Sequence, residues 1–264
     1  MKRLLPTLAA AAAFLVIGGA QAAVLVADYD FSNALNLGLD SSGHGNNATV
    51  VSGVTQTSGP PAGSHGALFD QSSSFQINGG LTGYNGLPGF SFAAWVNVNG
   101  SYGGYNGVLS QDFGDCCINR LLLSGGQSPF INVGARYDVS LNATTAALNT
   151  WHQIVMTGEN AGPGTTEGRV YIDGVEVAQS PRFFPYGLPD LTGVNTYLGA
   201  GENGGPYRLS GSLADVRIYQ GALTSTEVLA LYDGGTSSIP EPASLALLGA
   251  SLAGLGLIRR NKVS

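Results

Sequence analysis

Few residues of this chain have both the type and the spacing for covalent chemistry. Asp28 and Asp30 alternate within the stretch Leu25 to Phe31 and so share one face of a strand, as a pair of carboxylates doing acid and base work would. Their first-strand context reads more simply as solvated or cation-facing. Of the three histidines, His44 and His65 lie in Gly- and Ser-rich loops and His152 lies in Trp151-His152-Gln153. No two have the spacing of a metal pair on one element. No Ser stands in a nucleophile-elbow context. The expected set of catalytic residues is therefore empty, and the chain reads as non-catalytic.

Side chains suited to binding are better represented. Tyr84 beside Asn85, Tyr102 and Tyr105 in the loop Ser101 to Gly107, and Tyr207 after Gly204-Gly205-Pro206 present apolar rings with polar tips. Such rings can stack on a pyranose, and they can equally pack over the end of a fold. Trp95 stands on a strand face opposite the apolar one.

The elements that must position these residues are short strands. Leu25, Ala27, Tyr29 and Phe31 alternate onto one face, as do Phe90, Phe92, Ala94, Val96 and Val98, with Ser91, Ala93, Trp95 and Asn97 opposite. Val170-Tyr171-Ile172 and Val175-Glu176-Val177 flank Asp173-Gly174, a two-residue link that predicts a type I′ hairpin because both turn residues accept positive φ. Ala214, Val216 and Ile218 alternate with Asp215, Arg217 and Tyr219. One helix is predicted, from about Ser225 to Tyr232. Thr224 and Glu227 form its capping box, and Leu223 and Val228 its hydrophobic staple. It is expected to pack on one edge or end of the fold. Forty glycines and clusters of Gly, Asn and Ser between the strands point to an all-β sandwich or barrel. No fixed-period repeat suggests a solenoid or propeller.

Both ends of the chain read as address labels. Lys2 and Arg3 precede an apolar stretch from Leu8 to Ile17, and Ala20-Gln21-Ala22 supplies small residues at the cleavage positions. This is a secretory signal peptide over 1–22, cut between Ala22 and Ala23. At the other end, Pro240-Glu241-Pro242 is followed by an apolar run from Ala243 to Ile258 and by Arg259, Arg260 and Lys262. A short span closed by a basic cluster stops in an inner membrane with its positive end in the cytoplasm. The region 237–264, with its motif at 240–242, transmembrane run at 243–258 and basic end at 259–262, closely resembles the PEP-CTERM sorting signal of Gram-negative bacteria. That resemblance implies export across the inner membrane, transient anchoring, exosortase cleavage near Pro240 to Pro242, and release to the cell surface or extracellular matrix. A bacterial host makes the glycosylation-like strings Asn47-Ala48-Thr49 and Asn142-Ala143-Thr144 coincidental.

Between the labels, 23–236 forms one large domain. From Ala23 to Ile239 there are sixteen acidic and six basic residues, all six Arg, for a net charge of −10. This excludes a nucleic-acid partner, which needs a basic stripe, and disfavours anionic lipid. It is compatible with calcium, which takes oxygen ligands. Cys116 and Cys117 are the only cysteines. Export predicts oxidation, and three readings remain: a vicinal disulfide, an intermolecular bridge, or two free thiols. The vicinal disulfide is preferred.

Taken in order, Leu25-Val-Ala-Asp-Tyr-Asp-Phe31, Asp40-Ser-Ser-Gly-His-Gly-Asn-Asn47, Phe90-Ser-Phe-Ala-Ala-Trp-Val96, Trp151-His-Gln-Ile-Val155, Val170-Tyr-Ile-Asp-Gly174, Ala214-Asp-Val-Arg-Ile-Tyr219 and the helix start Ala222 to Val228 resemble the LamG-like, concanavalin A-like jelly roll. The resemblance implies an all-β fold of two packed antiparallel sheets with one short helix, often a calcium site, and commonly a carbohydrate or protein ligand. In such a fold Asp40, Asn46 and Asp215 are the candidate calcium ligands; the alternative readings are Asp40 as the cap of its own turn and Asp215 as a solvated strand residue. Trp95 matches a position that the family usually packs as scaffold. Laminarinase-type relatives carry Glu-x-Asp-x-x-Glu on one strand, and no such string occurs here. The expectation is an exported domain that binds polysaccharide without chemistry, in the exopolysaccharide or biofilm matrix. The alternative is a structural or adhesive surface protein that contacts other proteins.

Overall fold

In the computed structural model the described residues are 22–100, 104–111, 119–124, 129–133, 139–140, 147–162, 165–183, 188–201 and 204–234. The signal-peptide run, the cysteine pair, Tyr102 and everything from Pro240 to the basic end lie outside them. No helix among the described residues is long and apolar enough to cross a membrane.

Two antiparallel sheets face each other. The first runs β13 (Val175–Phe183), β12 (Thr165–Ile172), β11 (Trp151–Gly162), β6 (Gly89–Val98), β15 (Ser210–Gln220), β4 (Ser64–Asp70) and β3 (Thr55–Gly59), and β1 (Val24–Tyr29) also pairs with β15. The second runs β10 (Val139–Ser140), β9 (Pro129–Val133), β8 (Asn119–Ser124), β7 (Tyr105–Gln111), β14 (Thr196–Leu198), β5 (Phe75–Ile77) and β2 (Thr49–Val50). Consecutive hairpin neighbours alternate with pairs from distant parts of the sequence, such as β6 with β11 and β15 and β14 with β5 and β7, as in a jelly roll.

The period-2 pattern explains the layers. Phe90, Phe92, Ala94, Val96 and Val98 of β6 point between the sheets with Ile154, Met156, Leu213, Phe69, Leu109 and Leu198, forming the main core. The opposite face of the same strands is also buried. Ala93, Val155, Tyr171 and Tyr219 form a second apolar cluster with Leu223, Val228 and Leu231. The last two belong to α1 (Ser225–Tyr232), which therefore lies across the outer face of the first sheet and not at the edge or end expected for so short a helix. Alternation alone cannot say which outer face a helix will cover.

Local chemistry follows the sequence closely elsewhere. Glu227 N donates to Thr224 Oγ1 and Thr224 N to Glu227 Oε2, at 3.3 and 2.7 Å, completing the capping box. Asp173 and Gly174 both have positive φ, 51° and 77°, and Ile172 pairs with Val175, as a type I′ hairpin requires. The first strand departs from simple alternation. A register shift between Leu25 and Ala27 turns Leu25 toward the second cluster, while Ala27, Tyr29 and Phe31 enter the main core. An extra residue flips the side chains before it to the other face. Both sheets, both clusters and α1 all fall between residues 22 and 234.

Candidate functional site

Gly201 and Tyr207 are pressed against β7 of the second sheet, and glycine makes the approach possible. A Cβ at Gly107 of β7 would lie 2.3 Å from Gly201 N and 2.5 Å from Tyr207 O, so no side chain fits there. Gly107 N instead donates to Tyr207 O at 2.6 Å. This tie sets Tyr207, at φ 60°, beside Tyr105. Their half-buried rings meet edge to face, with centroids 5.3 Å apart and 78° between the planes.

On the other side of the loop, Gly204 sits over the ring of Tyr197, where a Cβ would come within 2.7 Å of ring carbons. The Tyr197 hydroxyl oxygen accepts from Gln76 Nε2 at 3.2 Å and Asn195 Nδ2 at 3.4 Å. Gln76 Nε2 also donates to Asn78 Oδ1 at 2.6 Å. Arg208 clamps the loop by donating to Gly204 O at 2.7 Å and to Ser72 O at 2.9 Å. Rings and amides thus flank one glycine-rich loop, an arrangement able to offer apolar faces and hydrogen bonds to a neutral polyhydroxylated ligand. Of the four tyrosines picked from the sequence, Tyr105 and Tyr207 are brought together. Tyr84 is not with them. It is 6% exposed, donates to Gln111 Oε1 at 3.0 Å, and is held by burial well above the ordinary phenol range. Sequence reading missed Tyr197, Gln76 and Asn195. Tyr197 beside a Gly-rich loop was the available signal, but only pairing of β14 with β5 shows its amide partners.

The residues nominated for calcium have other duties. Asp40 Oδ1 accepts from Asp28 N and Ser42 N, both at 2.9 Å, and Oδ2 from Ser42 Oγ at 2.9 Å and Asn46 N at 2.8 Å. Burial alone would raise its pKa, yet these four donors hold the carboxyl below its ordinary value. Asn46 Oδ1 accepts from Thr82 N at 2.6 Å, and its Nδ2 donates to Val26 O at 2.6 Å. Asp215 is paired with Arg217, Oδ1 to Nε at 2.8 Å. All four lone-pair positions of Asp40 thus accept a donor from β1 or from its own loop. Among the described residues no group of three or more His, Cys, Asp or Glu side chains is gathered for a metal ion.

Trp95 lies under Tyr232 of α1, with ring centroids 5.6 Å apart and 28° between planes. His152 fastens the hairpin turn. Its Nδ1 lies 2.7 Å from Asp173 Oδ2, while Nε2 accepts from Ala147 N at 3.1 Å. That second bond assigns the Nδ1-protonated tautomer and leaves neither nitrogen open. His44 is exposed near Ser42, and His65 is exposed at the mouth of a cavity beside Asp30 and Asp215.

Comparison with known proteins places this architecture. Domain 4 of AbnA, an extracellular GH43 arabinanase from Geobacillus stearothermophilus solved with arabinotriose, is 20% identical with a TM-score of 0.59, over 80% of this chain and 100% of that domain. The botulinum neurotoxin serotype G binding domain is 16% identical with a TM-score of 0.56, over 81% of this chain and 51% of that one. Trypanosoma rangeli sialidase is 20% identical with a TM-score of 0.54, over 79% of this chain and 32% of that one. The chain thus spans about half of the toxin domain and a third of the sialidase. These likenesses are of fold. No curated protein matches the chain. Residues 238–260 match the PEP-CTERM protein-sorting motif, so the protein is of the exported, exosortase-processed, Gram-negative type. Residues 69–229 match the Laminin_G_3 profile, and the chain belongs to the concanavalin A-like lectin/glucanases superfamily.

Proposed function

We propose that this protein is an exported module that binds polysaccharide without cleaving it, in the exopolysaccharide or biofilm matrix of its own cell. The observation that carries this reading is the Tyr105–Tyr207 pair, two half-buried rings fixed edge to face at a glycine-rich loop. The Tyr197, Gln76 and Asn195 group across the same loop supplies amide and hydroxyl partners. Rings held by backbone contacts lose little entropy on binding, which favours a weak, repeated ligand such as a polymer. The arabinotriose in the AbnA domain supports a sugar as ligand.

The test uses Ala23–Gly234, first shown to be folded by circular dichroism, on an array of polysaccharides that includes the producer's matrix polymer, with calcium and with chelator. Binding to a defined glycan that Tyr105→Ala and Tyr207→Ala each weaken about tenfold or more, with the fold retained, supports the reading. Silence across the array from the folded domain overturns it. The comparison of calcium with chelator also decides whether the metal contributes.

A second reading, a structural or adhesive protein that meets other proteins, is favoured by one apolar patch. Val175, Leu229 and Tyr232 are 64%, 47% and 36% exposed. Leu229 and Tyr232 crowd Gly174 at the hairpin tip. Cross-linking of the anchored protein to a neighbouring protein through this patch, lost on Leu229→Ser, would favour that role.

A further inference from the structure

Beside the last turn of α1, away from the tyrosine loop, a cavity of about 390 Å³ opens on the outer side of the first sheet. Four separate segments build it. Asp30 comes from just after β1, Ser64 from the start of β4, Asp215 and Arg217 from β15, and Leu231 from α1, with Pro61 closing one wall. The volume lies within the usual span for small-ligand sites, roughly 300–1,000 Å³. It accommodates one sugar ring.

The lining is specific about charge. Arg217 is the cavity's one guanidinium, and it already faces Asp215 at 2.8 Å and Asp28 at 3.8 Å. Asp30 brings a further carboxylate to the same cavity. Burial pushes the Asp215 carboxyl up, Arg217 pulls it down, and the Asp30 charge raises it again, with the net direction upward. Arg217 is committed to Asp215 and Asp28, which leaves Asp30 as the lining's second carboxylate, with the His65 imidazole the one further titratable side chain of the cavity. An anionic ligand is repelled, and a cationic one meets unspent negative charge. Pro60 and Pro61 add apolar surface, against which the C–H face of a ring can lie.

We propose that this cavity binds a single amino-sugar unit, its ammonium group set between Asp30 and Asp215 and one ring face against Pro61. The inference takes its ligand class from the polysaccharide-binding reading but uses a different site. It makes the protein selective for polymers that carry free amino groups, such as a partly de-N-acetylated hexosamine chain.

The experiment titrates Ala23–Gly234 with glucosamine, glucose and glucuronate, followed by ligand-observed saturation-transfer NMR and by amide shifts in the labelled protein. Glucosamine is expected to bind at least tenfold more tightly than glucose, with glucuronate weakest. Amide shifts should centre on residues 30, 64, 215 and 231 and weaken with added salt. Ser64→Trp, which fills the cavity, should abolish this binding while leaving the tyrosine-dependent polysaccharide binding in place. Ser32→Tyr, on an exposed loop that also lines the cavity, repeats the test if Ser64→Trp fails to fold. Tyr207→Ala should do the reverse, so the two readings fail separately. Glucosamine no tighter than glucose, or glucosamine binding that survives a folded cavity-filling variant, overturns the proposal.

Discussion

Tyr232 of α1 stacks on Trp95 of β6 at a centroid distance of 5.6 Å, which turns the one tryptophan on the outer face of that strand into a helix contact. Leu223, Val228 and Leu231 complete the same interface. A ring committed to a helix is not free to meet a sugar. Trp95→Ala is therefore expected to lower stability by about 2–3 kcal/mol, less than a fully buried aromatic because Trp95 is only partly covered. It should leave glycan affinity unchanged. Denaturant unfolding and polysaccharide binding on the same preparations check both halves. Lost affinity with unchanged stability would return Trp95 to the binding surface.

Gly107 offers a sharper probe of the tyrosine loop. Because a Cβ there would meet Gly201 N at 2.3 Å and Tyr207 O at 2.5 Å, Gly107→Ala forces Gly201 and Tyr207 away from β7 and separates Tyr207 from Tyr105. The expected cost is about 1–3 kcal/mol of stability. Polysaccharide affinity should fall as far as in Tyr207→Ala, although no contacting side chain has changed. Full affinity in a folded Gly107→Ala protein would show that the ring pair is not the binding element.

These two positions show what the sequence could and could not reveal. Period-2 alternation was enough to assign the inner face of β6, and Asp173-Gly174 and Thr224 with Glu227 encode their turn and cap locally. Tyr84 and Tyr207 looked alike, since both follow Gly-rich loops, yet one is core and the other half exposed. Their difference lies in long-range partners: Gln111 closes over Tyr84, while Gly107 pulls in Tyr207. The Asp30, Asp215 and Arg217 cavity was hidden for the same reason, because strands far apart in sequence meet there.

Asp40 closes the loop that packs against β1. Both its oxygens are filled by donors from Asp28, Ser42 and Asn46, and Tyr29 Oη donates to Asn46 O at 2.6 Å just below. Asp40→Ala leaves several buried donors unmet and is expected to cost about 2–4 kcal/mol. The loss should be the same in calcium and in chelator. A wild-type melting temperature several degrees higher in calcium, with no such rise in Asp40→Ala, would instead assign the carboxylate to a cation.

Asp28 gives the fold a pH dependence of unusual sign. Burial pushes its carboxyl up to about 6, against the pull of Arg217, and the charges of Asp215, Asp30 and Asp40 add to the rise. Its Oδ1 is buried and meets no donor among the described residues. A carboxyl whose folded pKa exceeds its unfolded value binds its proton more tightly in the native state. Its stabilising effect is complete below the unfolded value of 3.8 and is lost as pH rises through about 6. Asp215 shifts in the same direction, whereas Asp40, held low, opposes them only as pH falls toward its own ordinary value. Between pH 7 and pH 4.5 the protein is thus expected to gain on the order of 1–2 kcal/mol, after allowance for solvent screening around a partly exposed site. Asp28→Asn, neutral at every pH, should raise stability at pH 7 and flatten the profile. Thermal melts of both proteins across this range settle the matter: a wild-type melting temperature that falls steadily on acidification, in parallel with Asp28→Asn, would mean that Asp28 is already charged and satisfied in the native fold.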